Sequence, residues 1–194
     1  MATKAFYEKL VAWAKTYEVG VVSDLAYGAL GYQGYENPSF LSTPGAKDVG
    51  IEFYTFSKTF NMAGWRLAFA AGNDQMIEAL NLIQDHLFVG IFPALQEAGI
   101  AALLDPKSEE AVAQLNATYD SRRDAFVQAA AKIGWQAFPS RGSFYAWMPV
   151  PEGYTSESFA DLLLEKVHVA VAPGKGFGPA GDAYVRIGPV SYTH

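Results

Sequence analysis

The chain has 194 residues, of which 51% are hydrophobic, and it carries a formal net charge of −6. This length suits one or two globular domains with a sizeable buried core. The acidic balance provides no basic field, which excludes nucleic acid and anionic membrane surfaces as partners, and the lack of cysteine excludes disulfides and thiolate chemistry.

The N-terminal segment predicts an amphipathic helix. Apolar side chains recur at helical spacing at Phe6, Leu10, Trp13 and Tyr17, and Thr3 is a candidate N-cap. The segment has no continuous apolar core of the kind found in signal peptides, which favours a cytoplasmic protein. No apolar run approaches the roughly 18 residues that a membrane-spanning helix needs.

A strand and a polar loop are predicted next. The β-branched run Val19–Ser23 predicts the strand, and residues 27–50 are rich in Gly, Tyr, Asn and Pro, which is typical of an ordered loop. Asp24 comes at the carboxyl end of the strand, where open α/β sheets place ligand groups. Its carboxylate either caps the next turn or contacts a ligand, in a site that Tyr27 would share.

The stretch Ile51–Gly72 concentrates the reactive side chains. It predicts two strands, the first extending from Ile51 to Ser57, separated by a turn that carries Lys58. An amine at a strand end can form a Schiff base, while nearby hydroxyl and guanidinium groups can bind a phosphate. Those groups are supplied by Thr55, Ser57 and Arg66. A solvated lysine in a surface loop is the alternative.

Helical patterns fill the middle of the chain. Asn73 or Asp74 is the predicted cap of one helix, and a second helix follows at Ala94–Leu104. A longer helix begins at Ser108. We expect a domain boundary near residue 105, with this long helix as the connector.

After the long helix the pattern changes to α+β. Ser156 is the predicted cap of one more helix. Short apolar runs predict four strands, at Trp135–Phe138, Ser143–Val150, Val169–Ala172 and Tyr184–Ile187. Arg186 lies inside the last run, and a buried arginine is rare unless it is paired. This position predicts either an internal salt bridge or a bidentate clamp on a substrate carboxylate.

The glycine-rich loop of this region and the histidines of the chain predict neither a nucleotide-binding site nor a metal site. The glycine-rich loop 173–181 does not match a phosphate-binding loop, and we expect a turn between strands with Lys175 as a solvated charge. The three histidines, His86, His168 and His194, have no paired ligand spacing, so no metal site is predicted.

Four motifs occur in the order and spacing of one known family. They are Asp24-Leu25-Ala26-Tyr27, Ser57-Lys58 with Gly64-x-Arg66, Gly142–Trp147, and Tyr184–Ile187. Together they resemble fold-type I pyridoxal-phosphate-dependent aminotransferases of class I/II, and the resemblance extends from Ala2 to about Pro189. Within that family the sequence is most similar to the LL-diaminopimelate and aspartate-type enzymes.

The resemblance implies an α/β fold with two domains. Residues 1–105 would form the C-terminal part of the large cofactor-binding domain, a three-strand remnant with its helices. Residues 106–194 would form a small α+β domain entered by the long helix. The resemblance also implies pyridoxal 5'-phosphate as cofactor, an amino acid and a 2-oxo acid as substrates, and a homodimer.

The family's cofactor contacts map onto three residues near the strand ends. By resemblance, Lys58 would hold the cofactor as a Schiff base and later move the α-proton of the substrate as general base. Asp24 would pair with the protonated pyridine nitrogen. Tyr27 would donate a hydrogen bond to the phenolic oxygen of the cofactor.

The resemblance assigns the remaining candidate residues to two anions, the phosphate of the cofactor and the α-carboxylate of the substrate. Thr55, Ser57 and Arg66 would bind the phosphate, with Thr55 as a departure from the serine often found at its position. Arg186 would bind the α-carboxylate of the substrate.

Several family features are absent from the sequence. The Asn-Pro-x-Gly motif, the glycine/serine loop of the phosphate site and the aromatic residue that stacks on the cofactor do not occur, and residues 191–194 stop where a final helix would begin. We therefore expect the C-terminal half of an aminotransferase, inactive alone, that associates with itself or with a missing half.

Two alternatives stay open. One is a non-catalytic remnant that serves as an interaction module, which the missing half favours and the intact candidate residues disfavour. The other is a different fold-type I activity, a C–S lyase or a decarboxylase, because those enzymes share the lysine and the aspartate.

Overall fold

The computed structural model describes residues 2–188 as two compact units. The units divide between Leu115 and Asn116, within the long helix that was expected to connect two domains. The domain limits predicted at 105 and 106 lie shortly before this division. The prediction for residues 191–194 lies outside the described residues.

The first unit is built on a three-stranded sheet in the order β1-β2-β3. Strand β2 pairs in parallel with β1 and antiparallel with β3, so the predicted three-strand remnant is confirmed. The elements of this unit are α1 (Lys4–Tyr17), β1 (Val21–Asp24), α2 (Ala46–Val49), β2 (Gly50–Thr55), α3 (Phe56–Thr59), β3 (Ala68–Gly72), α4 (Asp74–Leu87) and α5 (Pro93–Leu104).

The predicted caps of α1 and α4 are confirmed. The Thr3 hydroxyl accepts a hydrogen bond from the Phe6 N–H at 3.2 Å, and the Asn73 side chain accepts one from the Met76 N–H at 3.1 Å. Each bond satisfies one of the donors that a helix leaves unpaired in its first turn.

The first strand pair brings two candidate residues to the same edge of the sheet. Asp24 ends β1 opposite Phe53, and the next backbone N–H, that of Leu25, donates to the Phe53 carbonyl at 2.9 Å. Thr55 ends β2. Because the carboxyl ends of parallel strands meet at one edge, Asp24 and Thr55 lie at the position where such sheets bind ligands.

The expectation that Ser57 belongs to the strand is wrong. Strand β2 ends at Thr55, and both Ser57 and Lys58 lie in the helical turn α3. The physical cause is local: the Thr55 hydroxyl accepts a hydrogen bond from the Ser57 N–H at 3.2 Å and so caps the turn. Lys58 is therefore presented by a one-turn helix rather than by an irregular loop.

A small hydrophobic cluster holds the first helix against the loop that follows β1. Its buried members are Val11, Phe40 and Ala46, from α1, a short 3-10 turn (Phe40–Ser42) and α2. Burial of these side chains fixes the long connection between β1 and β2, which the sequence had predicted as an ordered loop.

The second unit carries a four-stranded sheet in the order β4-β5-β7-β6, in which all neighbouring strands are antiparallel. A 25-residue helix crosses from the first unit into this one. The elements are α6 (Ser108–Lys132), β4 (Phe138–Pro139), β5 (Ala146–Pro149), α7 (Ser156–Val167), β6 (Ala172–Pro173) and β7 (Tyr184–Ile187).

The two outer strands are much shorter than predicted. Strand β4 begins at Phe138 instead of Trp135 because the Trp135 N–H donates to the Ala130 carbonyl at 2.9 Å and closes the end of α6. The Trp135 indole donates to the Pro149 carbonyl at 2.7 Å. Trp135 is thus tied to the sheet by its side chain and not by its backbone.

The helix α7 is capped one residue earlier than predicted. Thr155, not Ser156, is the N-cap: in a capping box its hydroxyl accepts from the Ser158 N–H, and its own N–H donates to the Ser158 hydroxyl. Ser156 is fully buried and bonds to a different part of the unit, described below.

The two faces of the second sheet differ. Met148 and Val185 lie opposite each other on β5 and β7, are fully buried, and pack with Phe159 of α7 in the core. The other face carries Trp147 and Arg186, which also lie directly opposite each other. None of the described helices is both long and apolar enough to cross a membrane.

Candidate active site

Two hydroxyl groups lie beside each other at the end of β2. The Thr55 Oγ1 and Ser57 Oγ atoms are 2.9 Å apart, and Thr55 Oγ1 lies 3.3 Å from the Leu67 carbonyl oxygen. The Phe56 N–H donates to the same carbonyl at 3.1 Å. Since Arg66 directly precedes Leu67, the pairing of β2 with the start of β3 brings a guanidinium-bearing residue next to both hydroxyls.

Arg66 has a strained backbone at this point. Its φ of 53° is in the left-handed region, and its guanidinium Nη1 donates to the Ala63 carbonyl at 3.1 Å. A non-glycine residue in this region costs about 1–2 kcal/mol. Such strain is concentrated at functional sites, where the surrounding structure maintains it.

Lys58 stands one residue after Ser57 on the turn α3 and is partly shielded from solvent. The turn is anchored on both sides. Phe56 is buried in front of Lys58, and behind it the Thr59 hydroxyl is 2.7 Å from the Tyr54 hydroxyl. The primary amine is therefore carried by a fixed backbone adjacent to the hydroxyl pair.

Asp24 and Tyr27 follow the end of β1. Asp24 is exposed, and its side chain makes no hydrogen bond to residues 2–188, so the alternative of a turn cap is not formed there. Tyr27 lies in the following turn and is partly buried. Its carbonyl accepts hydrogen bonds from the Leu30 N–H at 2.9 Å and from the Asn37 amide at 2.6 Å.

Arg186 is held by aromatic rings. Its guanidinium carbon lies 4.0 Å from the ring centre of Tyr145 and 4.3 Å from that of Phe177. The expected alternative of an internal salt bridge is not formed within the described part of the chain, and the buried Nε has no hydrogen-bond partner there. A buried donor without a partner is costly, so this atom is available for an anionic ligand.

Aromatic side chains continue from Arg186 across the same face of the sheet. Trp147 contacts Phe177 and Tyr184, with ring centres 5.4 Å and 6.2 Å apart. They line a cavity of about 430 Å³. Sequence reasoning missed Phe177 because it falls in the loop predicted as a simple turn; a bulky aromatic residue inside a glycine-rich loop was the available signal.

The loop that carries Phe177 is folded as two 3-10 turns, Gly174–Phe177 and Pro179–Ala183. The carboxylate of Asp182 accepts hydrogen bonds from the Ser156 hydroxyl at 2.7 Å and the Ser156 N–H at 3.2 Å, and these bonds lower the pKa of Asp182. The Ser156 hydroxyl in turn accepts from the Lys175 N–H at 3.2 Å. The loop is therefore fastened to the start of α7.

Lys175 is the exposed, solvated charge that was expected, and it also forms an ion pair. Its ammonium lies 2.6 Å from the Glu157 carboxylate. The hydrogen bond to Glu157, together with the attraction between the charges, raises the pKa of Lys175. Exposed pairs of this kind stabilise a protein only slightly.

The two units thus contain different chemical groups. In the first, Asp24 and the hydroxyl pair of Thr55 and Ser57 lie at the ends of β1 and β2, Lys58 follows this pair in the chain, and Arg66 precedes the Leu67 carbonyl that the pair contacts. The second has a guanidinium stacked between rings on one face of its sheet. Within residues 2–188 no group of three or more histidine, aspartate or glutamate side chains could hold a metal ion, and the lack of a metal site stays a prediction.

A family model described as aminotransferase class I and II matches residues 1–193. The L-glutamine–4-(methylsulfanyl)-2-oxobutanoate aminotransferase of Bacillus subtilis is 56% identical over 188 residues, which cover 97% of this chain and 47% of the relative. An LL-diaminopimelate aminotransferase of Moorella thermoacetica is 46% identical over 187 residues, 96% of this chain and 47% of that protein.

Solved structures give the same result. Substrate-bound BacF from Bacillus subtilis matches with a TM-score of 0.94 and 45% identity, over 100% of this chain and 49% of that one. The aromatic aminotransferase from Pyrococcus horikoshii matches with a TM-score of 0.91 and 32% identity, over 98% of this chain and 51% of that one. The chain therefore spans about half the length of the relatives it matches.

Proposed function

The chain belongs to the class I and II aminotransferase family, and from this we infer that it supplies the lysine-bearing part of a pyridoxal-phosphate-dependent aminotransferase. The reaction is the exchange of an amino group between an amino acid and a 2-oxo acid. The observation that carries the proposal is the hydroxyl pair of Thr55 and Ser57, adjacent to Lys58 and to the backbone of Arg66.

The donor set of the first unit fits pyridoxal phosphate. Thr55, Ser57 and Arg66 provide two hydroxyl donors and one permanent cation, which suit a phosphate dianion. Lys58 provides a primary amine close to them for covalent attachment to the aldehyde carbon. Asp24 provides a carboxylate whose oxygens are not engaged by residues 2–188.

Asp24, Tyr27 and Lys58 each have a role in the reaction that depends on one polar group of the side chain. Pyridoxal phosphate, when bound, supplies an electron sink that makes the α-proton of an amino acid acidic. The Asp24 carboxylate would hold a proton on the pyridine nitrogen, and the Tyr27 hydroxyl would donate to the phenolic oxygen. The Lys58 Nζ would take up and return the α-proton of the amino acid as general base and acid.

Arg186 binds the α-carboxylate of the amino acid. Its guanidinium offers a planar set of donors, and stacking on Tyr145 and Phe177 fixes the plane of that group in advance. A pre-oriented guanidinium loses less freedom on binding a carboxylate than a mobile one, which increases the affinity.

Turnover requires the half of the relatives' length that these 194 residues do not cover. The matched relatives are about twice as long, and the ring-stacking aromatic residue and the second wall of the phosphate site have no counterpart in this sequence. That half is supplied by the same or by another polypeptide. The assembled enzyme is a homodimer.

A chimera tests this function directly. The half of the Bacillus subtilis L-glutamine–4-(methylsulfanyl)-2-oxobutanoate aminotransferase that this chain does not cover is placed ahead of residues 1–194. The chimera is supplied with pyridoxal phosphate and with either L-glutamine or LL-diaminopimelate as amino donor. The 2-oxo acid formed from the donor is measured. Glutamine with 4-(methylsulfanyl)-2-oxobutanoate as acceptor is the expected pair, since the relative named for it shares 56% identity.

Four control proteins accompany the chimera. Lys58→Ala and Lys58→Arg chimeras should produce no 2-oxo acid, because neither offers a primary amine at this position, whereas Lys175→Arg should be as active as the parent. Residues 1–194 alone should be inactive. A folded, cofactor-loaded chimera without activity contradicts the function, and turnover by residues 1–194 alone contradicts the requirement for the second half.

A further inference from the structure

A buried carboxylate lies on the central strand of the first sheet, at a residue that has no assigned contact with the cofactor. Glu52, on the central strand β2, is only 6% exposed. Its carboxylate accepts three hydrogen bonds, from the Ser23 hydroxyl at 2.9 Å, the Ser39 hydroxyl at 2.6 Å and the Phe40 N–H at 2.7 Å. Buried carboxylates are rare and need such partners, because an unpaired one is very costly.

One of these bonds reaches the residue next to Asp24. Ser23 lies opposite Glu52 in the parallel pair of β1 and β2, and Asp24 follows it as the last residue of β1. The bond between the Ser23 and Glu52 side chains therefore fixes the end of β1 against β2, in addition to the backbone ladder.

The other two bonds reach the loop that contains Tyr27. Ser39 and Phe40 attach the loop to Glu52, and two residues earlier the Asn37 side chain donates to the carbonyls of Tyr27 at 2.6 Å and Leu30 at 2.7 Å. A short path of hydrogen bonds thus runs from the middle of β2 through residues 37–40 to the backbone of Tyr27.

We propose that Glu52 is a positioning residue that holds Asp24 and Tyr27 in place for the cofactor, acting through Ser23 on one side and through Ser39, Phe40 and Asn37 on the other. The proposal rests on the proposed function for what Asp24 and Tyr27 do. The positioning itself is a property of residues 23–52 and exists without cofactor.

The segment between β1 and the first 3-10 turn depends on this path. Residues 25–39 contain no helix or strand, so no regular backbone ladder holds them, and Leu30 and Tyr32 are their buried side chains. Segments without such a ladder open locally more readily when an anchoring bond is removed. A hydrogen bond to a charged group is strong enough that its loss should speed local opening by about tenfold or more.

The first measurement needs no cofactor. Amide hydrogen exchange of residues 24–36 is followed in the parent chain, Glu52→Gln, Ser39→Ala and Ser39→Thr, with Thr16→Ala as the matched control, since Thr16 donates its hydroxyl only within α1. Glu52→Gln and Ser39→Ala should exchange about tenfold faster in this segment, with no change in α4. Ser39→Thr, which keeps the hydroxyl, and Thr16→Ala should behave like the parent.

The second measurement uses pyridoxal phosphate and follows the pH at which its absorbance changes. A general loss of protein stability does not shift this pH. The pH midpoint of the visible absorbance of the cofactor-loaded chimera described above is measured for Ser39→Ala, Tyr27→Phe and the double variant. Loss of the Tyr27 donor should raise the midpoint. Ser39→Ala should shift it in the same direction, and the double variant should shift it no further than Tyr27→Phe alone.

The possible outcomes separate the two ideas. Unchanged exchange of residues 24–36, or equal acceleration throughout the unit, overturns the positioning role, as does an absorbance midpoint that Ser39→Ala leaves unaltered. A folded chimera that shows no cofactor absorbance contradicts the proposed function instead, and the exchange data then still decide whether Glu52 fixes the segment.

Discussion

Arg186 shows how a single residue can be prepared for a ligand without a charged partner. In the described part of the chain the guanidinium is stacked between Tyr145 and Phe177, and its buried Nε is unpaired. Aromatic stacking orients the group while leaving its donors available, whereas a salt bridge would occupy them. A carboxylate ligand would remove the cost of the unpaired donor.

Substitution of Arg186 should therefore affect substrate binding more than the rate of the chemical step. In the active chimera, Arg186→Lys replaces a planar fork with a point charge, and the KM for the amino acid should rise by about tenfold or more while kcat changes little. Phe177→Leu removes one stacking ring and should raise KM by only about two- to fivefold. An unchanged KM in Arg186→Lys would refute the assignment of this residue.

At the residue scale the sequence predicted where the candidate side chains lie along the strands better than it predicted how they are held. Asp24 and Thr55 could be placed at one sheet edge from the strand pattern, because parallel strands end together. The turn that carries Ser57 could not, because it depends on a hydroxyl cap two residues earlier. The stacking of Arg186 depends on a loop distant in sequence, and Glu52 was hidden in an apolar strand pattern.

At the scale of elements, the first sheet depends on close approach of its strands. Gly72 ends β3 opposite Ile51 with a φ of 140°, and a Cβ added there would meet the Gly50 carbonyl oxygen and would lie 2.7 Å from the Ile51 Cα. Both neighbours are backbone atoms and cannot move aside easily. Glycine is required here for space as well as for conformation.

Gly72→Ala should destabilise the first unit. The clash and the disallowed φ together should lower the free energy of unfolding by about 1–3 kcal/mol, measured by urea denaturation. Gly64→Ala is the matched control, since a Cβ at Gly64 meets no atom within 4 Å. Equal stability of the two variants would show that β3 does not approach β2 as closely as described.

The stability that the hydrogen bonds between Asp182, in the 3-10 turn Pro179–Ala183, and Ser156 of α7 give to the second unit should depend on pH. The Asp182 pKa is lowered by its hydrogen bonds from Ser156, so the folded state binds a proton on Asp182 less readily than the unfolded state does. The stabilisation is present above the ordinary aspartate pKa of 3.8 and is lost as the pH falls through the lowered value.

Asp182→Asn should consequently flatten the acid limb of the stability curve. Urea denaturation from about pH 5 to about pH 2 should show the parent losing stability relative to Asp182→Asn as the pH falls. Asp161 is an exposed carboxylate on α7, the helix to which Asp182 is bonded. The Asp161→Asn variant should retain the parent's dependence of stability on pH. Parallel curves for the parent and Asp182→Asn would contradict the assigned hydrogen bonds.

Helices were predicted more accurately than strands because their signals are local. The caps of α1 and α4 follow from single polar residues before an apolar period. The outer strands β4 and β6 were overestimated, since an apolar run does not reveal that a backbone N–H such as that of Trp135 is already bonded to a helix end.

At the scale of the whole molecule, the first unit leaves many large apolar side chains exposed. Val22, on the edge strand β1, is 62% exposed, and a groove of about 590 Å³ runs along β3, α4 and α5. Its large apolar lining residues are Phe53, Trp65, Phe69, Leu80, Phe88, Ile91, Phe92 and Leu95. Surfaces of this kind are usually covered by a partner.

Residues 1–194 alone should therefore self-associate. Analytical ultracentrifugation should detect species larger than one chain, and Phe88→Lys, which places a charge in the groove, should shift the distribution toward the monomer. Lys107→Glu, on the surface after α5, is a charge-changing control that should have no effect. A parent chain that is monomeric at every concentration would contradict the need for a covering partner.

The central claim is that the Lys58 amine attaches the cofactor. Residues 1–194 are incubated with pyridoxal phosphate, reduced with borohydride to make the attachment permanent, digested, and mapped by mass spectrometry across all lysines. The label should be concentrated on Lys58 and should disappear in Lys58→Arg, while Lys175→Arg retains it. Label spread evenly over the exposed lysines, or retained at the parent level in Lys58→Arg, would contradict the claim.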